Sequence, residues 1–264
     1  MSANPSKIYK DPDGIKVQLD LDNYFQNNIL YGYYEYAVRT LIKSKLKQGD
    51  YMLDIGGNIG YMAIVGGISV GKNGKVLCFE PNPDVLPQLL DNLKINGLEN
   101  VELIKAAASD FEGTADFYCG VEHALSTLVE GTGVLEIKKT IKIPVTTVDK
   151  VLIEKGLSPE LFNLIKIDVE GYEFHALQGM SSILKAGKAS FIVENNPPAQ
   201  KQIGVDLSTI LETFFFPNRY KVFWIESKTN QALFYKKKVI MEHITPDNVH
   251  EYVEKSGDFF AEPL

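Results

Sequence analysis

Short apolar segments, separated by polar turns and by longer segments with helical periodicity, recur along the middle of the chain. Short apolar runs bounded by turn residues are typical of buried strands. Such strands are predicted at residues 51–55, 75–79, 101–106, 164–168 and 189–193. Apolar residues at helical spacing predict helices at residues 61–70, 84–96, 148–155, 172–179 and 207–216. This alternation predicts an α/β fold, in which helices cover both faces of a mostly parallel sheet.

The two ends of the chain follow this alternation less clearly. Alternating apolar residues predict a short strand or hairpin at 15–21, and a helix is expected at 31–46. That helix begins with tyrosines at positions 31, 33, 34 and 36, which either pack on the sheet edge or form an aromatic lid over a ligand. Near the other end, 220–226 and 231–235 predict an antiparallel pair, and 245–264 predicts a short helix and tail.

Two further strands, at 114–119 and 140–144, enclose a polar insertion at 122–133. The insertion is either an ordered substrate loop or a mobile connection. No linker separates two domains, so we expect a single domain over residues 1–264. Its expected parts are an N-terminal extension at 1–48, a cofactor-binding α/β core at 49–238 and a C-terminal tail at 239–264.

A glycine-rich turn, Asp54-Ile-Gly-Gly-Asn-Ile-Gly60, follows the first strand of this core. Its glycines, Gly56, Gly57 and Gly60, supply positive φ and let the backbone approach a ligand closely. The helix that opens after Gly60 presents free N–H groups to a polar ligand edge. Because Asn58 interrupts the pattern, the turn differs from the Gly-x-Gly-x-x-Gly of dinucleotide-binding folds. Alone, it is also typical of a purely structural strand-to-helix turn.

Glu80 ends the second strand of the core, 26 positions after Asp54. This spacing is close to that of the acidic residue that meets a ribose hydroxyl in nucleotide-binding βαβ units. A carboxylate accepts two hydrogen bonds at once, and the vicinal hydroxyls of a ribose offer two donors. Glu80 therefore predicts a ligand that contains a nucleoside, bound beside the glycine turn.

Composition narrows the class of protein. A length of 264 residues, with 45% hydrophobic and 23% charged residues, fits one large globular domain. A net charge of −7 argues against nucleic acid as the main partner, and no apolar window is long enough to predict a membrane span. The two cysteines, Cys78 and Cys119, suggest no disulfide framework, and the N-terminus carries no apolar signal segment. A reducing, cytoplasmic location is therefore expected.

Polar side chains follow the predicted core strands. They are Asp54, Glu80, Ser109 with Asp110, Asp168 with Glu170, and Glu194 with Asn195. Each could be a helix N-cap, but glutamate is a poor cap and occurs three times in this set. Ligands of open α/β sheets bind at the carboxyl ends of the strands, so the set predicts a polar site there.

Four blocks of the sequence carry a family resemblance: Asp54-Ile-Gly-Gly-Asn-Ile-Gly60, Phe79-Glu-Pro-Asn82, Asn92-Leu-Lys-Ile-Asn96 and Lys166-Ile-Asp-Val-Glu-Gly171. Together they resemble the FkbM family of S-adenosylmethionine-dependent methyltransferases, over about residues 51–195. The block that begins at Lys166 is the most specific of the four. Gly57 stands where the family commonly has alanine.

The resemblance implies the class I methyltransferase fold, a Rossmann-like, mostly parallel sheet of seven strands with a reversed final strand. It implies S-adenosylmethionine as the cofactor and a hydroxyl of a sugar, polyketide or other small metabolite as the acceptor. The cofactor-binding residues that it implies are Asp54, Gly56, Gly57, Asn58 and Gly60 on the methionine side, Glu80 and Asn82 at the ribose, Ser109 and Asp110 near the adenine, and Asp168 beside the methyl group.

An alcohol that accepts a methyl group loses its proton, so a base within hydrogen-bond reach assists. Asp168, Glu170 and Glu194 are the candidate catalytic residues, with Asp168 first, and His175 is the weaker candidate. Alternatively, Asp168, Glu194 and Asn195 offer three oxygen ligands, which suit Mg²⁺ or Ca²⁺ rather than Zn²⁺. Such an ion would orient the acceptor oxygen, as in catechol-type O-methyltransferases.

Two other classes of protein remain compatible with the sequence. An NAD-dependent oxidoreductase would share the βαβ pattern, although it favours the glycine spacing that Asn58 interrupts. A non-catalytic nucleotide-binding protein of Rossmann-like fold would look almost identical.

Overall fold

The computed structural model describes residues 7–120, 125–131, 136–230 and 236–264. The elements follow in this order: β1 (Lys7–Lys10), β2 (Lys16–Leu19), α1 (Tyr24–Leu30), α2 (Tyr36–Lys45), β3 (Tyr51–Ile55), α3 (Tyr61–Val70), β4 (Lys75–Phe79), α4 (Leu86–Ile95), β5 (Val101–Ile104), β6 (Ala107–Ala108), β7 (Gly113–Gly120), β8 (Ile137–Thr146), α5 (Val148–Lys155), β9 (Phe162–Ile167), α6 (Glu173–Gln178), α7 (Ser181–Ala186), β10 (Ser190–Asn195), α8 (Pro197–Gln200), α9 (Leu207–Ile210), β11 (Tyr220–Asn230), β12 (Lys236–Ile244) and β13 (Gly257–Pro263).

The main sheet has eight strands in the order β12-β11-β13-β10-β9-β3-β4-β5. Strands β10, β9, β3, β4 and β5 are parallel, and β13 is antiparallel to both of its neighbours. The strands that follow β3 directly in the chain, β4 and β5, lie on one side of it, whereas β9 and β10 lie on its other side. The carboxyl ends of β3, β4 and β9 therefore border a crevice where ligands of such sheets bind. The predicted α/β fold with a mostly parallel sheet is confirmed, and the sheet has eight strands rather than the seven that the resemblance implied.

The central strands are apolar throughout because both of their faces are covered. Side chains alternate between faces along a strand. In β3, Leu53 and Ile55 accordingly join a core shared with α5, α6, α7 and α9, whereas Met52 joins a second core shared with α2, α3 and α4. This double burial explains the continuous apolar runs from which the strands were predicted.

The C-terminal region differs from its prediction. Residues 245–264 contain a short 3₁₀ turn, Val249–Glu251, and then β13, rather than a helix and a tail. The reversed strand is β13, which inserts between β10 and β11. The second strand of the predicted 220–235 pair is instead β12, which pairs with β11; residues 231–235, where it was predicted, lie outside the described residues.

The N-terminal extension forms the hairpin β1–β2 and the helices α1 and α2. Helix α1 was not predicted, because its short sequence lacks a clear apolar period. The strands β6, β7 and β8 form a separate small sheet. Of the polar insertion at 122–133, residues 125–131 are described, whereas residues 122–124 and 132–133 lie outside the described residues. Within the described chain, no helix is long and apolar enough to cross a bilayer.

Candidate active site

A cavity of about 470 Å³ opens at the carboxyl ends of the central strands. The loop between α1 and α2 forms one wall, and the small sheet contributes Ala107, Ala108 and Phe117. Its polar and charged lining includes Asn23, Gln26, Asn28, Glu35, Asn58, Glu80, Asn82, Ser126, Lys166, Asp168, Glu170 and Glu194. The cavity lies where the sequence predicted a site, and its volume suits a small-molecule ligand.

The glycine turn after β3 packs too tightly to accept side chains. A Cβ at Gly56, whose φ is +88°, would lie 1.8 Å from the carbonyl oxygen of Asp168, and one at Gly57 would lie 2.2 Å from Cys78 Sγ. Both glycine N–H groups donate to the carbonyl of Phe79, at 3.0 and 2.9 Å. Glycine therefore lets the turn fit between β4 and β9, so that the backbone itself lines the cavity.

Glu80 follows β4 and connects the two loops that form the end of the cavity beside the glycine turn. Its Oε2 accepts the N–H of Asn58 and its Oε1 accepts the N–H of Asn82, both at 2.7 Å. Burial raises the pKa of Glu80 to about 7, although these two backbone hydrogen bonds lower it. Each carboxylate oxygen carries two lone pairs, so Glu80 can still accept hydrogen bonds from a ligand.

Asp54 lies under the glycine turn and is fully buried. Its Oδ1 has no hydrogen-bond partner among the described residues, and its Oδ2 lies 3.9 Å from Cys78 Sγ. Burial raises the pKa of Asp54 to about 6, against the attraction of Lys166. An orphaned buried oxygen of this kind costs folding free energy, which an ordered water can offset.

A buried ion pair occupies the end of β9. Lys166 Nζ donates to Asp168 Oδ2 at 2.8 Å, and the lysine side chain is almost completely buried. Burial would lower the pKa of Lys166, but Asp168, Glu35 and Asp54 outweigh it and hold that pKa well above the usual value. The pair fixes the orientation of the Asp168 carboxylate at the cavity wall.

Three carboxylates meet at this wall. Oxygens of Asp168, Glu170 and Glu194 all lie within 4.8 Å of one another. Burial raises the pKa of Glu170 well above its usual range, and the neighbouring Asp168 and Glu173 raise it further. The pKa of Glu194 is raised in the same way, by burial and then by Glu170 and Asp168. The cluster can hold a proton or accept hydrogen bonds from a ligand.

The loop that carries Glu170 is fixed by Glu173, which is fully buried. Glu173 Oε1 accepts the N–H groups of Val169 and Gly171, at 3.2 and 3.0 Å. Glu170 itself has a left-handed backbone, with φ 55°, and accepts the amide of Asn196 at 2.8 Å. Of the four described non-glycine residues with positive φ, three line the cavity: Glu35, Asn58 and Glu170. Strained backbone of this kind clusters at functional sites.

Several predicted residues do not line the cavity: Asp54, Gly60, Ser109, Asp110, His175 and Asn195. Ser109 is buried behind Tyr172, with its Oγ 3.4 Å from the tyrosine hydroxyl. His175 stacks on Tyr172 and faces Asp110. Asn195 donates to the carbonyl of Lys255 at 2.7 Å. Because alternate residues of β10 face opposite sides, Glu194 reaches the cavity and Asn195 does not.

Sequence reasoning missed Glu35 and Lys166 as lining residues. Lys166 begins the family block at 166–171, but its aliphatic neighbours indicated only a residue of a buried strand. Tyr33 and Tyr34 do line the cavity, as the aromatic-lid interpretation expected, whereas Tyr31 does not and Tyr36 lines only a second cavity.

The sequence profile of the methyltransferase FkbM domain matches residues 54–223, well over half of the chain. The hexuronic acid methyltransferase AglP of Haloferax volcanii is 28% identical over 152 residues, which cover 58% of this chain and 59% of that protein. The chain thus spans less than two thirds of the length of this relative. A probable cobalt-precorrin-6B C(15)-methyltransferase (decarboxylating) of Sulfolobus acidocaldarius is 25% identical over 170 residues, with coverages of 62% and 84%.

Among solved structures, a SAM-dependent O-methyltransferase from Thermotoga maritima superposes with a TM-score of 0.45 at 15% identity, covering 98% of this chain and 78% of that one. The sheet order and the glycine turn are those of a Rossmann-like fold, and the profile match is to a methyltransferase domain. The chain belongs to the FkbM methyltransferase family, whose cofactor is S-adenosylmethionine.

Proposed function

We propose that the protein transfers the methyl group of S-adenosylmethionine to a hydroxyl of a sugar or another small metabolite. The observation that carries this proposal is the placement of the Asp168, Glu170 and Glu194 cluster in the same cavity as the glycine turn. A donor and an acceptor bound there would meet with no further rearrangement of the chain. The match to a hexuronic acid methyltransferase supports a sugar acceptor.

The end of the cavity formed by the glycine turn and Glu80, called here the donor end because the methyl donor would bind there, fits the cofactor. The cradle at Gly56 and Gly57 has no room for a Cβ, and Glu80 has acceptor capacity for two ribose hydroxyls. In this proposal, Asn82 borders the ribose and Asn58 borders the methionine side, while Asp54 and Gly60 support the turn from behind. Ser109 and Asp110 act near the adenine through Tyr172. The bound cofactor supplies an activated methyl group, so the protein mainly aligns the nucleophile.

At the acceptor end, Asp168 is the proposed general base. Lys166 donates to its Oδ2, and its Oδ1 receives no hydrogen bond within the described chain, so that oxygen is available to an acceptor hydroxyl. Glu170 and Glu194 flank Asp168 and would orient the acceptor by accepting hydrogen bonds from its neighbouring hydroxyls. Proton removal by a positioned base contributes about 10²–10⁴-fold to the rate.

A second mechanism for the same reaction uses a divalent cation. The oxygens of Asp168, Glu170 and Glu194 are close enough to share one ion, with Glu170 in the place that the sequence suggested for Asn195. An all-oxygen set suits Mg²⁺ or Ca²⁺. In that case, the three carboxylates would hold the ion, which would polarise the acceptor oxygen.

The test begins with cofactor choice. S-adenosylhomocysteine should raise the melting temperature, because a ligand of the native state stabilises it by mass action, and NAD should not. Stabilisation by NAD alone would contradict the proposal. Methyl transfer to hydroxylated sugars, with and without EDTA, then separates the two mechanisms: loss of activity in EDTA and its return with Mg²⁺ would favour the ion.

A further inference from the structure

A second cavity, of about 460 Å³, adjoins the first. It shares only Tyr33 and Glu35 with the first cavity, and no residue of the glycine turn lines it. Its other walls come from α2, β11 and the start of β13, including Tyr36, Trp224, Glu226, Lys255 and Asp258. The second cavity therefore extends the site away from the glycine turn, where the cofactor is proposed to bind, and on the side proposed for the acceptor.

Glu35 stands between the two cavities with an unsatisfied carboxylate oxygen. Its Oε2 is buried and has no hydrogen-bond partner among the described residues. Its backbone is left-handed, with φ 39°, and its side chain does not cap α2, although it occupies the N-cap position. A non-glycine residue in this conformation is strained and is kept where its position is required.

Asp258 is the second carboxylate of this region, and it comes from β13 directly beside Glu194 of β10. Burial raises the pKa of Asp258 well above its usual range, and Glu35 and Asp168 raise it further, against Lys166. Neither Glu35 nor Asp258 forms an ion pair within the described chain.

The other charged groups around the second cavity have partners. Glu226 accepts from Trp224 Nε1 at 3.2 Å and lies 3.8 Å from Lys228 Nζ. Lys255 Nζ lies 4.0 Å from the ring centroid of Tyr252. Lys166, the only cation among the described residues lining the first cavity, is already paired with Asp168. Around the second cavity, the carboxylates that form no ion pair in the described chain are thus Glu35 and Asp258; Lys166 attracts both but is paired with Asp168.

We propose that the second cavity binds the ammonium group of an amine-bearing hydroxylated acceptor, such as an amino sugar, between Glu35 and Asp258. This inference rests on the proposed function, because it places the acceptor hydroxyl at Asp168 in the first cavity. An ammonium group brings three donors and no acceptor, which matches two carboxylates that lack a cationic partner. An anionic acceptor would meet like charges there and would be disfavoured.

The aromatic wall suits the same ligand, since aromatic rings attract cations. The chain itself illustrates this: Lys237 Nζ, from β12, lies 4.0 Å from the ring centroid of Tyr33 and 5.2 Å from that of Tyr36. Lys237 lines neither cavity. Glu35 and Asp258 both lie outside residues 54–223, so this selectivity belongs to the chain and not to the matched family domain.

The test compares three probes that differ in charge at one position. The methyl glycosides of glucosamine, N-acetylglucosamine and glucuronic acid are titrated calorimetrically into the chain of residues 1–264 saturated with S-adenosylhomocysteine, in buffer containing EDTA. The glucosamine glycoside should bind about 10- to 100-fold more tightly than the N-acetyl glycoside, the range expected for charge-assisted hydrogen bonds. The glucuronic acid glycoside should bind most weakly.

Two variants assign the preference to these residues. Glu35→Gln and Asp258→Asn keep the shape of each side chain and should each reduce the preference for the amine by about tenfold, with unchanged affinity for S-adenosylhomocysteine. Glu262→Gln, which changes a half-exposed carboxylate paired with Lys45 at 2.7 Å, is the control and should keep the preference.

Equal binding of the amine and N-acetyl glycosides, no binding of the amine, a preference that needs Mg²⁺, or a preference unchanged in both variants would each overturn the inference. Binding of S-adenosylhomocysteine separates this failure from failure of the proposed function. If the cofactor product stabilises the enzyme and the amine is not preferred, only the inference fails. If the cofactor product does not bind, the proposed function fails as well.

Discussion

Glu80 shows how one carboxylate can shape a loop and remain available to a ligand. Its two oxygens accept the N–H groups of Asn58 and Asn82, so it fixes both loops at the donor end of the cavity. Its sequence position after β4 predicted only the ligand contact. The two backbone contacts depend on how the loops fold back, which a spacing of residues does not reveal.

We expect Glu80→Ala to weaken the binding of S-adenosylhomocysteine by about 1.5–3 kcal/mol, the usual value of hydrogen bonds to a charged group. The variant also frees two backbone N–H groups, so its melting temperature should fall modestly. Calorimetric titration measures the affinity, and circular dichroism reports the fold. Unchanged affinity would assign Glu80 a purely structural role.

Asp168→Asn should lower the turnover of methyl transfer by about 10²–10⁴-fold, because the amide cannot take a proton from the acceptor. The affinity for S-adenosylhomocysteine should change little. The matched control is Asp116→Asn, which removes an exposed Asp–Lys pair with Lys142, also at 2.8 Å, and should leave turnover unchanged. Turnover equal to wild type in Asp168→Asn would leave alignment of the acceptor as the whole mechanism.

The residues that sequence reasoning placed well lie at the carboxyl end of a buried strand or within a few residues after it. Asp168 and Glu194 reach the cavity because the strand fixes their side-chain direction and the sheet brings strand ends together. Glu35 follows no strand of the sheet. Its place in the cavity depends on how the α1–α2 loop packs against the sheet, which is a long-range contact without a local signal.

At the element scale, the glycine turn after β3 provides a sharp test of close packing. Gly56 and Gly49 have similar backbone conformations, with φ of +88° and +93°, but a Cβ added at Gly49 would meet no atom within 4 Å. Gly49→Ala should therefore cost only the backbone strain, about 1–2 kcal/mol.

Gly56→Ala should cost that amount and about 1–3 kcal/mol more, because its Cβ would overlap the carbonyl of Asp168. It should also lose affinity for S-adenosylhomocysteine, since the turn must move away from β9. Urea unfolding of both variants gives the two free energies. Equal destabilisation of the two variants would show that the turn has room to relax.

The strand β13 is the element of the main sheet that the sequence analysis did not predict. Its residues, Gly257–Pro263, include acidic and small side chains at both ends, so the pattern favours a polar tail over a buried strand. Its middle, Phe259 to Ala261, is fully buried between β10 and β11. The pairing joins strands far apart in the chain, and such non-local pairing leaves no trace in local propensity.

Deletion of residues 257–264 should therefore abolish cooperative unfolding, because it removes an interior strand and leaves two strand edges unpaired. Deletion of Leu264 alone is the control. That residue is exposed and contributes one backbone hydrogen bond to Arg219, so the control should remain folded. Thermal melts followed by circular dichroism distinguish the two. A folded 1–256 chain that binds S-adenosylhomocysteine would refute this account of β13.

At the scale of the whole molecule, the site combines three regions of the chain. The matched domain supplies the donor end and the Asp168 cluster, whereas the N-terminal extension supplies Glu35 and the C-terminal strand supplies Asp258. The family blocks therefore predicted the proposed cofactor side and the Asp168 end of the proposed acceptor side, whereas Glu35 and Asp258 come from segments without a recognisable motif. The result is a concentration of buried carboxylates that affects the stability of the entire fold.

The last prediction concerns how stability depends on pH. Burial raises the pKa of Asp54 from 3.8 to about 6, and it raises the pKa of Glu35 and of Glu80 from 4.5 to about 7. A group with a raised folded-state pKa stabilises the fold below its unfolded pKa, and that contribution is lost as pH rises through the folded pKa. The folded chain binds more protons in this window, so the free energy of unfolding should fall by about 1.4 kcal/mol per pH unit for each such group.

Carboxylates whose pKa is lowered, such as Asp13 and Glu102, lose their contribution only as pH falls through their folded-state values, so they do not oppose the trend between pH 5 and 7. Urea midpoints without ligand should therefore decrease steadily from pH 5 to pH 7. Asp54→Asn removes one of the three groups and should flatten the lower part of this decrease, up to about pH 6, since its amide does not titrate. A stability that rises from pH 5 to pH 7 would show that these carboxylates are ionised in the folded protein, with a cation or an ordered water network compensating their charge.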